Sequence, residues 1–242
     1  DPNGHRLFVG DNGNNRVLVF ALDSADRPAS RTASLVIGQP DFASCETGRT
    51  QSGLSSAVSL VYDSKGNRLF VADESNRRVL VFDVDGGNGL PATHVLGQVN
   101  FTAIEAPGAT QARFATTLNL ALDEDGGRLF VSDFGNNRVL VFDVASDFPN
   151  GADAGFVIGQ PSFTSYAADA GQASFYGPRG AAFDPVANRL FVADDYNKRV
   201  MVFDTSAIQD GMAATYVLGQ PDFASTSTFS SDAGGSFSPR SV

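Results

Sequence analysis

Arg6-Leu7-Phe8-Val9 returns as Arg68-Leu69-Phe70-Val71, as Arg128-Leu129-Phe130-Val131 and as Arg189-Leu190-Phe191-Val192, at offsets of 62, 60 and 61 residues. Each copy runs on through Asp-x-x-Asn-x-Arg-Val, then Leu-Val-Phe or Met-Val-Phe, and later reaches Gly-Gln. Four copies of one long unit restrict the chain to repeat architectures, in which each unit covers its neighbour's apolar surface. In the third copy the apolar segments are 117–123, 128–133, 138–144 and 155–160. They are short, rich in Val, Leu and Phe, and separated by turn residues such as Glu124-Asp125-Gly126-Gly127 and Ser64-Lys65-Gly66-Asn67. Such segments read as strands joined by tight reversals. Several are apolar at consecutive positions, so each sheet must be covered on both faces.

The expected fold is therefore all-β, a single β-propeller domain over residues 1–242 with four blades of four antiparallel strands. The repeat units are approximately 1–61, 62–121, 122–182 and 183–242. Ser236-Phe237-Ser238-Pro239-Arg240-Ser241-Val242 matches the stretch from Ser174 to Ala181 with one gap, so Val242 aligns with Ala181. The expectation is that 236–242 supplies the inner strand of the first blade and closes the ring, leaving a monomer without free edges. An arc taken from a longer array would show the same phase.

Composition narrows the partners. A formal charge of -10 opposes a phosphate backbone, and Lys65 and Lys198 are the only lysines. Nucleic acid is not an expected partner. No apolar run approaches the ~20 residues of a membrane-spanning helix. Cys45 is the only cysteine, so no internal disulfide can form. Few lysines, many small polar residues and the acidic balance suit an extracellular or periplasmic bacterial protein.

The Leu-Phe-Val-x-Asp-x-x-Asn-x-Arg-Val-x-Val-Phe pattern resembles the NHL-repeat propellers. Pro178-Arg179-Gly180-Ala181-Ala182-Phe183-Asp184 resembles the opening of such a unit. The resemblance covers all four copies. It departs in a longer repeat, an added Gly-Gln-Pro-x-Phe element and fewer copies than the usual six. It implies a propeller from a family that mostly mediates protein or ligand contacts, with some RNA-binding and some lyase members.

Positions shared by every copy are assigned to the fold. Asp11, Asn14 and Arg16, with Asp73, Asn76 and Arg78, Asp133, Asn136 and Arg138, and Asp194, Asn197 and Arg199, could form a ring of cation ligands. The preferred reading is structural: each Asp accepts from its own turn and pairs with its Arg, fixing a hairpin. Gly38-Gln39, Gly97-Gln98, Gly159-Gln160 and Gly219-Gln220 read as latches to the neighbouring blade. The stretch from Asp83 to Gly89 resembles a calcium loop without its closing Glu and reads as an outer turn. His5 and His94 sit at non-equivalent positions, and no nucleophile with a base beside it can be assembled. No cofactor and no metal are expected.

Function is sought where the copies differ. The loops after the second strand vary as Asn12-Gly13, Glu74-Ser75, Phe134-Gly135 and Asp195-Tyr196, and the crossovers 43–53, 102–113, 164–174 and 224–236 diverge. Val58, Leu118, Arg179 and Arg240 align at the mouth of the expected channel. The candidate ligand-binding set is Arg179, Arg240, Phe134, Tyr196 and Glu74, in which arginines and rings grip an anionic or aromatic group. Arg179→Ala is expected to remove binding without changing thermal stability. The expected function is a non-catalytic binding or scaffolding propeller engaging a protein, peptide or glycan. The alternative is a metal-assisted, lactonase-like hydrolase using channel carboxylates.

Overall fold

Each repeat folds into an antiparallel sheet of its own. A computed structural model describes residues 1–227 and 239–242, leaving 228–238 and the Leu118 side chain outside the described set. The first sheet holds β1 (Arg6–Asp11), β2 (Arg16–Ala21) and β3 (Leu35–Ile37). The second holds β4 (Ala57–Asp63), β5 (Arg68–Asp73), β6 (Arg78–Asp83) and β7 (His94–Leu96). The third holds β8 (Thr117–Asp123), β9 (Arg128–Asp133), β10 (Arg138–Asp143) and β11 (Phe156–Ile158). The fourth holds β12 (Pro178–Asp184), β13 (Arg189–Asp194), β14 (Arg199–Asp204) and β15 (Tyr216–Leu218). In every sheet the strands follow chain order, the meander that short reversals produce.

Turn chemistry sets these boundaries. His5, Asn67, Gly127 and Asn188 occupy the same place before the second strand of their repeats, all at φ between 48° and 62°. That left-handed region suits Gly and Asn, and it reverses the chain in few residues. The outer strand β11 ends at Ile158, two residues earlier than the apolar run suggests. Gly159 turns to φ 86° there and leaves the ladder. The first strands of the second, third and fourth sheets, β4, β8 and β12, each carry a register shift near their start, at Ala57/Ser59, Thr117/Asn119 and Pro178/Ala181. Such bulges re-aim the first residues of a strand.

The chain divides into two compact units, residues 1–106 with 148–152, and residues 107–147 with 153–242. In the first unit the core gathers Val17, Ile37, Leu54, Leu69, Phe82 and Val95, and Phe8 stacks on Tyr62 with ring centroids 5.3 Å apart. In the second it gathers Phe130, Ile158, Phe175, Leu190, Met201 and Phe203. β5 is buried from Leu69 to Asp73, as a strand covered on both faces must be. In β1 the counterparts of Leu69 and Val71 are exposed instead, Leu7 at 47% and Val9 at 37%.

The first sheet has three strands among the described residues. Of the segment expected to complete it, 236–238 lies outside the described residues. The described end from Pro239 to Val242 forms no strand. Ser241 lies against β12, its Cα 2.6 Å from the place a Cβ on Gly180 would take.

Candidate functional site

The Asp-x-x-Asn-x-Arg hairpins form charged hubs. Arg78, Arg138 and Arg199 are fully buried, and each pairs through Nε with its own Asp, at 2.6 Å to Asp73, 2.8 Å to Asp133 and 2.7 Å to Asp194. The rest of each guanidinium donates to two crossover loops. Arg78 reaches the carbonyls of Thr50 and Gly53 in the incoming loop and of Phe101 in the outgoing one. Arg138 reaches Thr110, Arg113 and Phe163 in the same way, and Arg199 reaches Gly171, Ser174 and Phe223.

The carboxylates are equally engaged. Asp73 accepts from the Ser55 amide at 2.6 Å and from Asn76 at 2.8 Å, besides its Arg. Burial pushes Asp73, Asp133 and Asp194 up from the ordinary carboxylate value, against the pull of Arg, Asn and an amide. At Asp11 the burial effect is outweighed by bonds from Arg16 and Asn14, and its pKa is lowered. Among the described residues no three of His, Cys, Asp and Glu stand close enough to hold a metal ion.

The Gly-Gln element does something other than bridge to a neighbouring blade. Gln39 donates to the carbonyl of Asn15, in its own hairpin turn, and to that of Glu46, in the loop leaving its repeat. Gln160 does the same with Asn137 and Ala167. The glycine makes the close approach: a Cβ on Gly38 would lie 2.4 Å from Leu54, and one on Gly159 would lie 2.0 Å from Phe175. His5 pairs with Asp26 at 2.8 Å, and His94 lies against the Phe148 ring.

The copy-specific residues converge in the second unit. Phe134 opens the turn after β9, Tyr196 lies in the turn after β13, and Arg179 is the second residue of β12. The Arg179 guanidinium sits over the Phe134 ring at 4.7 Å, and its Nε donates to Asp195 Oδ2 at 2.6 Å. Phe134 and Tyr196 meet with centroids 5.7 Å apart. Tyr176 completes the group, 4.7 Å from Tyr196 and tilted by 48°. Tyr176 and Tyr196 remain 46% and 45% exposed, whereas Asp195 is buried. Gly177 permits the cluster: its φ is 73°, and a Cβ there would lie 2.5 Å from the Tyr196 ring and 2.9 Å from that of Phe134.

Glu74 belongs to the first unit and accepts from Ser56 Oγ at 2.9 Å. Arg240 is exposed, near β12 through its carbonyl oxygen. Arg179 neutralises a buried carboxylate, which changes one expectation. Replacing it with Ala removes the 2.6 Å ion pair of buried Asp195, from which Lys198 stands farther off at 3.8 Å, so thermal stability falls along with any binding.

A family model described as "Lactonase, 7-bladed beta-propeller" matches residues 28–229. The chain belongs to that family. A comparison of this lactonase-family chain with curated proteins returns no significant match. Among solved structures it is similar to a functionally unknown protein from Desulfotomaculum acetoxidans DSM 771, at 12% identity and a TM-score of 0.55, covering 93% of this chain and 56% of that one. It is also similar to a chain of a nidogen/laminin complex, at 15% identity and a TM-score of 0.48, covering 81% and 56%. A third is Kuenenia stuttgartiensis hydrazine synthase, at 13% identity and a TM-score of 0.49, covering 83% and 41%. The lactonase-family chain thus spans about half the length of these structures. At 12% identity the likeness to the Desulfotomaculum protein speaks to the fold alone.

Proposed function

We propose that this propeller is a non-catalytic binding module that engages a protein, peptide or glycan through the face carrying Arg179, Phe134, Tyr176 and Tyr196. The observation that carries this reading is the Tyr176–Tyr196 pair, half exposed beside an arginine held in place by buried Asp195. Rigid aromatic rings with polar tips supply contact area at small entropic cost, and a fixed guanidinium adds directional donors. Asp73, Asp133 and Asp194, by contrast, spend their acceptor capacity inside the fold. The Asp-x-x-Asn-x-Arg signature supports kinship with NHL-repeat propellers, a family of contact-makers. The acidic balance supports partners other than nucleic acid, and an extracellular or periplasmic setting.

The test is the double substitution Tyr176→Ala with Tyr196→Ala, screened beside the parent chain on glycan and peptide arrays. Binding is confirmed by quenching of tyrosine fluorescence, which no tryptophan obscures. Both rings are half exposed, so stability changes by no more than about 1 kcal/mol, while array binding is lost. Identical array profiles for the two proteins would end this reading.

Family membership favours a second reading, hydrolysis of a cyclic ester. The described residues bring no metal-holding group together, so no step is routed through a metal. Steady turnover of simple lactones by the purified chain, measured as proton release, would put this reading in place of the first.

A further inference from the structure

Of the chain's five tyrosines, Tyr166, Tyr176 and Tyr196 stand on one group of loops in the second unit. Tyr176 and Tyr196 form the tilted pair already described. Tyr166 is tied to them by Asn137, which stands at φ 52° in the turn after β9. Asn137 Oδ1 accepts from the Gly177 amide at 2.9 Å, and its Nδ2 donates to the Tyr166 carbonyl at 3.0 Å. One side-chain amide thereby joins that turn, the crossover loop and the residue before β12. Asn15 makes the same two bonds in the first repeat, with the Ser56 amide and the Cys45 carbonyl. The joint therefore belongs to the fold, whereas the tyrosine it holds, 65% exposed, belongs to this copy.

Arg179 supplies the polar half of this surface. Asp195 holds its Nε and the Phe134 ring lies under it, yet no described residue bonds Nη1 or Nη2. A guanidinium fixed at one end and free at the other presents two donors that lose little freedom when a ligand arrives. The surrounding segments, 134–137, 164–180 and 195–198, contain no Val, Ile, Leu or Met. A peptide docked as a helix needs a groove lined with such side chains, and one added as a strand needs a sheet edge. Here the rings stand in turns and a crossover loop. The charged residues of the same segments, Asp169, Arg179, Asp195 and Lys198, sum to zero in a chain of formal charge -10.

We propose, building on the binding-module reading, that these loops take an uncharged oligosaccharide. A pyranose has a flat face of C–H groups and a rim of hydroxyls. The C–H faces rest on the rings of Tyr176, Tyr196 and Tyr166, and neighbouring hydroxyls accept from Nη1 and Nη2 of Arg179. A uronate or an acidic peptide would set a second carboxylate against a guanidinium that Asp195 already neutralises at 2.6 Å. A neutral ligand leaves that pair balanced as water is excluded.

The parent chain is titrated with cellopentaose, maltopentaose, mannopentaose and galactopentaose, followed by tyrosine fluorescence and saturation-transfer NMR. At least one binds, and saturation passes to its ring C–H protons. Tyr166→Ala weakens that binding by about tenfold. It leaves the urea midpoint in place, since the ring is largely exposed. Raising sodium chloride to about 0.5 M changes the affinity less than about twofold, as contacts without net charge require. Failure of all these sugars to bind overturns the proposal, as does binding indifferent to Tyr166→Ala, or trigalacturonate binding more tightly than any of them. Peptide binding that needs Tyr176 and Tyr196, with no neutral sugar bound, overturns it and leaves the binding-module reading standing. Array profiles identical for the parent and the double tyrosine variant end both.

Discussion

Asp73→Ala and Asp11→Ala remove the same carboxylate from the same hairpin in two repeats of one compact unit, yet they should differ severalfold in cost. Asp73 and Arg78 have no exposed side-chain surface, whereas Asp11 and Arg16 retain 25% and 16%. Without Asp73 the guanidinium of Arg78 keeps its charge, because arginine does not deprotonate in proteins, and no water can reach it. The Ser55 amide and Asn76 also lose their acceptor. Removing one partner of a buried pair costs about 3–5 kcal/mol. Without Asp11, Arg16 turns to solvent and keeps its bond to the Phe42 carbonyl, so the loss is nearer ~1 kcal/mol. Urea unfolding followed by circular dichroism measures both. With a slope of about 3 kcal/mol per molar, Asp73→Ala lowers the midpoint by roughly 1–2 M and Asp11→Ala by roughly 0.3 M. Equal shifts would refute the reasoning, because turn geometry rather than desolvation would then set the worth of the motif.

Two further outcomes follow from the same geometry. Gly177→Ala puts a Cβ into the Tyr196 and Phe134 rings at a left-handed φ; it should cost about 2 kcal/mol in thermal unfolding and separate the two rings. Preserved ring contacts in nuclear Overhauser spectra would count against it. Asp41 and Asp222 are held below the ordinary carboxylate value by bonds from Ser44 and Ser225. A depressed folded value means that their stabilisation of these loops is present above the unfolded value and lost as pH falls through the folded one. Carbon-13 titration of the two carboxyls checks this, and midpoints at or above 3.8 would contradict it.

Much of the site was legible in the sequence because the repeats supply their own comparison. Phe134, Tyr196 and Arg179 stood out as residues unlike their counterparts, and the second unit brings them together. Tyr176 was missed, although it replaces Ser55 and Ala115 at the same place and is the bulkiest of the three. Glu74 and Arg240 aligned just as well, but Glu74 belongs to the first unit and Arg240 approaches β12 through its backbone. Asn88-Gly89, Asn150-Gly151 and Asp210-Gly211 also recur at a fixed offset, each bonding the middle residue of the outer strand before it, Val36, Val95 and Val157. They escaped notice because an Asn-Gly pair between strands reads first as a turn, and its bonds to the preceding repeat have no local signature.

Strand positions, turn types and the number of sheets were settled by the sequence itself, since an antiparallel hairpin is decided by residues only a few places apart. Burial was decided by tertiary structure. One motif, Asp-x-x-Asn-x-Arg, gives three fully buried charge hubs and one that keeps its contact with water. The difference lies in the carbonyls of an incoming crossover loop, which bond Arg78, Arg138 and Arg199. No described residue does the same for Arg16.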